Sequence, residues 1–515
     1  MSFISLKYAL FLLELLVVYY IFPKKHRYLV LLIGSLIFYY ISSGVYSVFL
    51  IVSVLSVYLL GLIIDRENTK LKLIDPDISK EEKKALKTQI KKNKKLIVTC
   101  GVLFNFGILV ILKYSGFLIR TFNKLFSSDF TVLKFVLPLG ISYYTLMAVS
   151  YIVDVYRGKI KADENVFRVS LYLTFFPQML EGPISNYTET ADKLYQGSKY
   201  DIDNILKGTF RIVLGVFKTL VIAHRAGVFV DNIFSGNVTG PLIFMGAVMY
   251  TIQIYADFSG CMDIVCGTAN LFGVDLPENF KRPFFSRSVQ EFWRRWHITL
   301  GTWIKNYIFY PISLSKFNTN VTEFFEKHLP KWLSNFLVVS FPLLFVWLFC
   351  GIWHGASFKY ILYGIYYFVL IAIGLLLNPL LTKIRTKLKI NVNNIIFRLY
   401  EMTRTTILVC FGMMMFRAKR FMTFVHMIGR MFTKSNSNIL DFGLIKGDFI
   451  ILIVYMIFLL LIGIYKEKHG SLYEKISKSN VLIQYAVWAI LMLGIVIFGL
   501  YGEGYDTSSF IYGDF

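Results

Sequence analysis

Charge is scarce in this chain, and cysteine is scarcer. Asp, Glu, Lys and Arg make up 17% of 515 residues, against about 25% in a soluble domain, so a water-facing surface of ordinary size is ruled out. The five cysteines, Cys100, Cys261, Cys266, Cys350 and Cys410, form no CxxC pair and have no His-Cys ligand spacing. That pattern sets aside a disulfide framework and a metal site, and leaves free thiols, mostly in apolar segments. There is no GxSxG elbow, HExxH pair, P-loop or glycine-rich dinucleotide turn, which favours a base acting on a substrate hydroxyl over covalent serine chemistry. No internal repeat is found, which weighs against a transporter built from two related halves. Acidic residues number 32 against 55 Lys and Arg, for a net charge of +23. With no soluble basic module to read a groove or stack bases, no nucleic-acid partner is expected. The excess reads as cytoplasmic loops meeting anionic membrane lipid.

What the chain does have is apolar length. Hydrophobic residues are 56% of the total and the mean hydropathy is +0.58, so the expected fold is an all-α polytopic membrane protein. A span needs roughly 20 mostly apolar residues. Candidates run Tyr8–Phe22, Tyr28–Ile41, Val45–Ile64, Leu96–Tyr114, Phe135–Val153, Ile205–Phe229, Pro241–Phe258, Phe336–Cys350, Phe358–Leu377, Thr405–Phe416, Phe449–Tyr465 and Val481–Tyr501. About eleven to twelve spans are therefore expected, with interfacial or re-entrant helices between them, in one integral membrane domain over 1–515. The first apolar run carries Glu14 and leads directly into further spans, so no cleavable signal peptide is expected.

Basic residues set the expected orientation, because positive loops stay in the cytoplasm. The polar linker Arg66–Lys95 carries Lys83, Lys84, Lys87, Lys91, Lys92, Lys94 and Lys95 and should be cytoplasmic. Counting spans from it puts Lys24, Lys25 and Arg27, the Arg157–Lys161 and Lys383–Lys389 segments and Lys466–Lys478 on the same side. The tail Gly502–Phe515, with Glu503, Asp506 and Asp514 and no Lys or Arg, then lies outside, as does the N-terminus.

Two strings carry histidine beside tryptophan at the edge of apolar stretches: Gln290–Leu300, QEFWRRWHITL, and Gly351–Ala356, GIWHGA. Over Gln290–Ile304 the spacing predicts one amphipathic helix. Phe292, Trp296, Thr299 and Trp303 form one stripe, and Trp293, His297, Leu300 and Ile304 the next. Ser288 with Glu291 reads as a capping box, and Glu291 can pair with Arg294 or Arg295. A helix lying in the interface explains the Trp and Arg residues equally well. His354 follows an apolar run and is flanked by Gly351, Gly355 and Ala356, which permit a helix break and close approach of another backbone. By span parity the break faces outward. A histidine hydrogen-bonded between helices is the alternative. Ionisable groups at membrane depth are functional candidates, and imidazole suits proton transfer near neutral pH. His26, His224, His328, His426 and His469 sit in charged or interfacial contexts and read as solvated.

These strings belong to a longer pattern: PLGISYYTLMAVSYIVDVYRG at 138–158, FPQMLEGPIS at 176–185, QIYADFSG at 253–260, LFGVDLPENFKRPFFSRSVQEFWRRWHI at 271–298, CGIWHGAS at 350–357, MFRA at 415–418 and SFIY at 509–512. Together they resemble the membrane-bound O-acyltransferase family, in its bacterial branch that includes the membrane component of alginate O-acetylation and, nearby, the teichoic acid D-alanylation protein. The resemblance implies a ring of tilted helices around an acyl-transfer tunnel. It implies a catalytic His354 with His297 as second site residue. Trp353, Trp296, Trp293, Arg294, Asp257 and Asn279 would line the tunnel or position substrate, with Asp257 a candidate orienting group.

The implied reaction moves an acetyl group from a cytoplasmic thioester, acetyl-CoA or an acyl carrier protein, to an extracytoplasmic polysaccharide or to a secreted partner transferase. Transfer of D-alanine to teichoic acid is the alternative. No covalently bound cofactor and no metal are implied. Ala256, Cys261, Glu181 and Tyr367 depart from the family pattern, and Tyr367 stands where relatives often have histidine. These departures bear on tunnel width and donor fit.

Overall fold

The computed structural model describes residues 1–75, 77–435, 437–470 and 472–501. The acidic tail at 502–515 and its SFIY string lie outside the described residues. Helices account for the architecture, and among the described residues the one β-pairing is an isolated bridge between Phe280 and Trp296. Backbone packing separates two units.

The first unit holds Met1–Ile212 and Val265–Pro277. Its helices are α1 (Leu6–Ile21), α2 (Arg27–Ser43), α3 (Ser47–Lys72), α4 (Lys80–Leu109), α5 (Ser115–Phe126), α6 (Ile141–Tyr156), α7 (Val166–Thr174), α8 (Phe176–Met179), α9 (Tyr187–Gln196) and the start of α10 (Ile202–Phe217). Its core is α6 packed on α3 and α4, with nearly all of α6 buried. The basic stretch expected as a linker is largely helix: α3 runs to Lys72 and α4 begins at Lys80. Lys, Glu, Ala and Gln are strong helix formers. Ser79 and Glu82 form a reciprocal capping box that starts α4. The span expected over Phe135–Val153 begins later, at Ile141. Gly140 is the reason: it caps α6 at φ +71, and a side chain there would collide with the Met179 carbonyl.

The second unit holds Val213–Ile264 and the chain from Glu278 onward. It contains the end of α10, a π-helical turn Lys218–Ala223, α11 (His224–Ser235), α12 (Leu242–Leu271, whose last turns count with the first unit), α13 (Val289–Arg295), α14 (Ile298–Ile304), α15 (Tyr310–Ser313), α16 (Lys316–His328), α17 (Lys331–His354), α18 (Phe358–Lys387), α19 (Ile395–Arg417), α20 (Phe421–Met431), α21 (Lys446–His469), α22 (Leu472–Ser477) and α23 (Val481–Phe498). The α17–α18 hairpin is its most closely packed helix pair. Gly351 faces the Tyr360 carbonyl and Gly364 faces the Trp347 carbonyl, each so closely that a methyl group would not fit. Small residues at a crossing let two backbones meet, which is how helices associate in lipid.

Eight stretches among the described residues are long and apolar enough to cross a membrane: Lys24–Lys72, Lys80–Phe126, Ile202–Ser235, Leu242–Leu271, Lys331–His354, Phe358–Lys387, Lys446–His469 and Val481–Phe498. The chain is a multi-pass membrane protein. Lys24–Lys72 contains both α2 and α3, each expected as a span. Helices α1 and α6, at 16 residues each, fall short of a full crossing. The expected span Thr405–Phe416 is only the apolar half of α19, whose first half carries Arg398, Glu401 and Arg404. Helices α21 and α23 bury almost none of their apolar windows, as a face turned to lipid requires.

Candidate functional site

The helix expected over Gln290–Ile304 is broken in the middle. Helix α13 ends at Arg295, Trp296 is extended, and His297 takes a left-handed conformation at φ 46 and ψ 53 before α14 starts at Ile298. That conformation costs a non-glycine residue about 1 kcal/mol or more, so something must hold it. The holding segment is Asn279–Lys281, which runs antiparallel to the break. Ile298 N donates to Asn279 O (3.0 Å) and Lys281 N donates to Arg295 O (2.9 Å).

The Asn279 side chain does the rest. Its Oδ1 accepts from Thr299 N (3.1 Å) and from Thr299 Oγ1 (2.7 Å), so a residue from a distant segment caps α14 where His297 makes no cap bond. A backbone N–H can only donate, which fixes the amide oxygen on that side. His297 Nδ1 lies 3.2 Å from the same oxygen and must therefore carry a proton and donate. The tautomer is set: Nε2 is the acceptor. The amide nitrogen of Asn279 faces Met262 Sδ (3.0 Å).

Aromatic rings wall the imidazole. Phe258 stands edge-on at 4.9 Å between centroids and Trp353 lies at 5.7 Å. His297 is 2% exposed, and burial pushes its imidazole down to about 3. Its folded value lies below the unfolded value of about 6.5, so the unfolded chain binds the extra proton. The stabilisation is complete above about pH 6.5 and is lost as pH falls toward 3. In lipid nanodiscs, stability should decline with a slope approaching 1.4 kcal/mol per pH unit below pH 6.5. His297→Gln should flatten that slope, and an equal slope in wild type and variant would refute the assignment.

His354 is the last residue of α17. The break follows it at Gly355, as the flanking small residues suggested. Its ring meets Trp353 (5.1 Å), Phe416 (5.2 Å, perpendicular) and Tyr363 (5.9 Å), and Nε2 is 4.0 Å from Cys350 Sγ one turn earlier. Trp353 thus touches both histidines.

A cavity of about 460 Å³ opens beside them, lined by Trp293, Arg294, His297, Lys305, Trp347 and Cys350 among others. This is within the usual size range of ligand pockets. His354 is not among its lining residues. Trp293 and Trp347 belong to the cavity wall, and their indole N–H groups are buried without a hydrogen-bond partner among the described residues. Tyr367, fully buried, stacks on Trp347 (5.5 Å) and meets Trp293 edge-on (4.8 Å), with its hydroxyl donating to Val409 O.

Of the neighbouring arginines, Arg295 pairs with Glu291 (2.8 Å) and Glu467 (3.4 Å). Arg294 is exposed at the cavity and has no carboxylate partner among the described residues. The expected capping box is half present: Ser288 Oγ accepts from Glu291 N, but the Glu291 carboxylate takes Arg287 N.

The structure thus gathers His297, His354, Trp353, Trp293, Arg294 and Asn279 in one region, with Trp296 packed on Phe280 and Phe292 beside it. Asp257 is buried on α12 next to Phe258; the oxygen that orients His297 is that of Asn279. Sequence reasoning missed Thr299, Cys350, Trp347 and Phe416 as neighbours of the histidines. Cys350 and Phe416 had a signal, in the CGIWHGAS and MFRA strings. Of the remaining histidines, His26, His328, His426 and His469 are exposed, while His224 is half-buried near Leu500 O. Four cysteines are buried and Cys100 is exposed. Among the described residues no three His, Cys, Asp or Glu side chains could hold a metal ion.

Residues 156–416 match the membrane-bound O-acyltransferase (MBOAT) family. The chain is 31% identical over 338 residues to a probable alginate O-acetylase of Pseudomonas putida, covering 65% of this chain and 64% of that one. It is 32% identical over 308 residues to the peptidoglycan O-acetyltransferase of Helicobacter pylori (54% and 55%). It is 29% identical over 293 residues to the teichoic acid D-alanyltransferase of Bacillus subtilis (55% and 69%). The matched part spans about three fifths of the length of the alginate relatives.

Proposed function

The chain belongs to the membrane-bound O-acyltransferase family, and on that footing we propose that it transfers an acetyl group from a cytoplasmic thioester to hydroxyls of an extracytoplasmic polysaccharide. The observation that carries this reading is the pair of buried histidines sharing Trp353 beside an apolar cavity with two indole donors. A thioester is already activated. What it needs is a base at the attacking hydroxyl, donors for the developing oxyanion, and a dry site.

His354 takes the hydroxyl proton as oxygen attacks the acyl carbonyl. The new C–O bond forms, the C–S bond breaks, and the proton passes to the leaving thiolate. Trp293 and Trp347 supply N–H groups for the carbonyl oxygen. His297, neutral and fixed by Asn279, contributes an acceptor at Nε2. Acetyl-CoA or an acyl carrier protein is the donor, approaching from the cytoplasm. The acyl group passes directly to the polymer or to a secreted partner. D-alanyl transfer to teichoic acid is the second reading, favoured by one observation: the match covers 69% of the teichoic acid relative against 64% of the alginate relative named above.

Reconstituted protein given labelled acetyl and D-alanyl thioesters separates the readings. We expect acetyl transfer to the polymer; transfer of D-alanine alone would replace that reading with the second. In the same assay Arg294→Gln should raise the KM for a phosphate-bearing thioester about tenfold at unchanged kcat, the worth of one charge-assisted hydrogen bond. Acetyl-pantetheine, which lacks the phosphate, should show no change. An equal effect on both donors would remove Arg294 from donor binding.

A further inference from the structure

We propose that Lys359 is a positioning residue for His354, acting through the end of α19 and Phe416; the inference rests on the acyl-transfer reading above. The last carbonyls of a helix have no partner within it and need one from elsewhere. At the end of α19 the Ala418 N–H returns to Met414 O, and two further carbonyls are taken by a single side chain. Lys359 Nζ donates to Phe416 O at 2.9 Å and to Ala418 O at 3.0 Å.

The placement of this lysine is informative. Lys359 is the second residue of α18, where a positive charge opposes the dipole of its own helix. The same charge is favourable at the C-terminal end of α19. Its ammonium also lies 4.6 Å from the centre of the Tyr360 ring. One side chain therefore ties the turn after His354 to the MFRA segment.

Phe416 transmits the effect. Its ring stands perpendicular to the His354 imidazole at 5.2 Å and contacts Tyr360 (5.2 Å) and Tyr363 (5.1 Å). With the clamp gone, the last turn of α19 frays and this ring no longer holds the imidazole in one rotamer. Water then reaches a base that should meet only the acceptor hydroxyl. Loss of positioning lowers turnover without weakening donor binding, and it raises the share of thioester lost to hydrolysis.

The test uses the full chain in nanodiscs. Lys359→Met keeps the stem and removes the donors; Lys359→Arg keeps donors. Two readouts are taken: transfer and hydrolysis kinetics, and the rate at which diethyl pyrocarbonate modifies His354, followed by peptide mass. Lys359→Met should lower transfer kcat about tenfold, leave donor KM within about twofold, raise the hydrolysed fraction and speed His354 modification severalfold. Lys359→Arg should restore kcat, the hydrolysed fraction and the modification rate.

Unchanged kcat and modification in Lys359→Met overturn the proposal, as does a defect that Lys359→Arg fails to rescue. If Lys359→Met does not fold, Phe416→Leu, which keeps the clamp, must show the same rise in modification, and no rise overturns the proposal. If the wild type transfers no acyl group, the reaction assigned above falls and the modification contrast alone decides the clamp.

Discussion

Replacing His354 with glutamine should cut acyl transfer by at least about a hundredfold while the protein inserts and folds normally. A positioned general base contributes roughly 10² to 10⁴ in rate, and glutamine keeps much of the volume and some hydrogen bonding but cannot take a proton at neutral pH. The ring sits among Trp353, Tyr363 and Phe416, so glutamine disturbs packing less than alanine, and the loss reads as chemistry. His297→Gln should cost less, because a neutral His297 held by Asn279 serves as an acceptor and not as the base. The measurement is single-turnover transfer from a labelled thioester. Transfer by His354→Gln within a few-fold of wild type would remove His354 from the reaction.

Gly351→Ala should damage the fold itself. Its added methyl would collide with the Tyr360 carbonyl, and the facing Gly364 is as tightly placed against the Trp347 carbonyl. Those obstacles are backbone atoms of α17 and α18, so relief requires the helices to part. Overpacking of this kind costs about 1–3 kcal/mol where side chains can shift, and at a backbone crossing the upper end is expected. Transfer should fall as well, since His354 lies one turn beyond Gly351 on the same helix. Gly374→Ala is the control, because nothing lies within 4 Å of its added methyl. There the better helix former should leave stability unchanged or raise it by up to about 1 kcal/mol. Thermal unfolding in one detergent compares the two, and equal midpoints would show that the crossing tolerates a wider separation.

Much of this was legible in the sequence, for reasons that differ by element. Hydropathy marks α17, α18, α21 and α23 because lipid-facing helices are apolar nearly all round. It overreached at Phe135–Val153, where Gly140, left-handed and packed closely against the Met179 carbonyl, sets the helix start at Ile141. It also read a helical stretch of lysines as a linker, because charge signals exposure and says little about backbone conformation. The break at His297 was not legible. Helical spacing runs unbroken through Gln290–Ile304, and the interruption comes from Asn279–Lys281 pairing with it, a tertiary contact that no local pattern encodes. The break after His354 was legible because glycine marks it locally. That Phe416 meets the His354 imidazole while Lys359 holds the end of α19 depends on how α18 and α19 pack together, which no local pattern encodes.

The bare flanks of α21 and α23 carry one more consequence. The apolar run of α21, Phe449–Tyr465, and that of α23, Val481–Phe498, are nearly equal in length, and at about 1.5 Å per residue each is roughly 25–27 Å long. A hydrocarbon layer of about 30 Å exceeds both and must thin locally around them. Lipid acyl-chain length therefore enters the energetics of the second unit directly, and the thickness of the host bilayer acts on this protein as a mechanical load on its outermost helices.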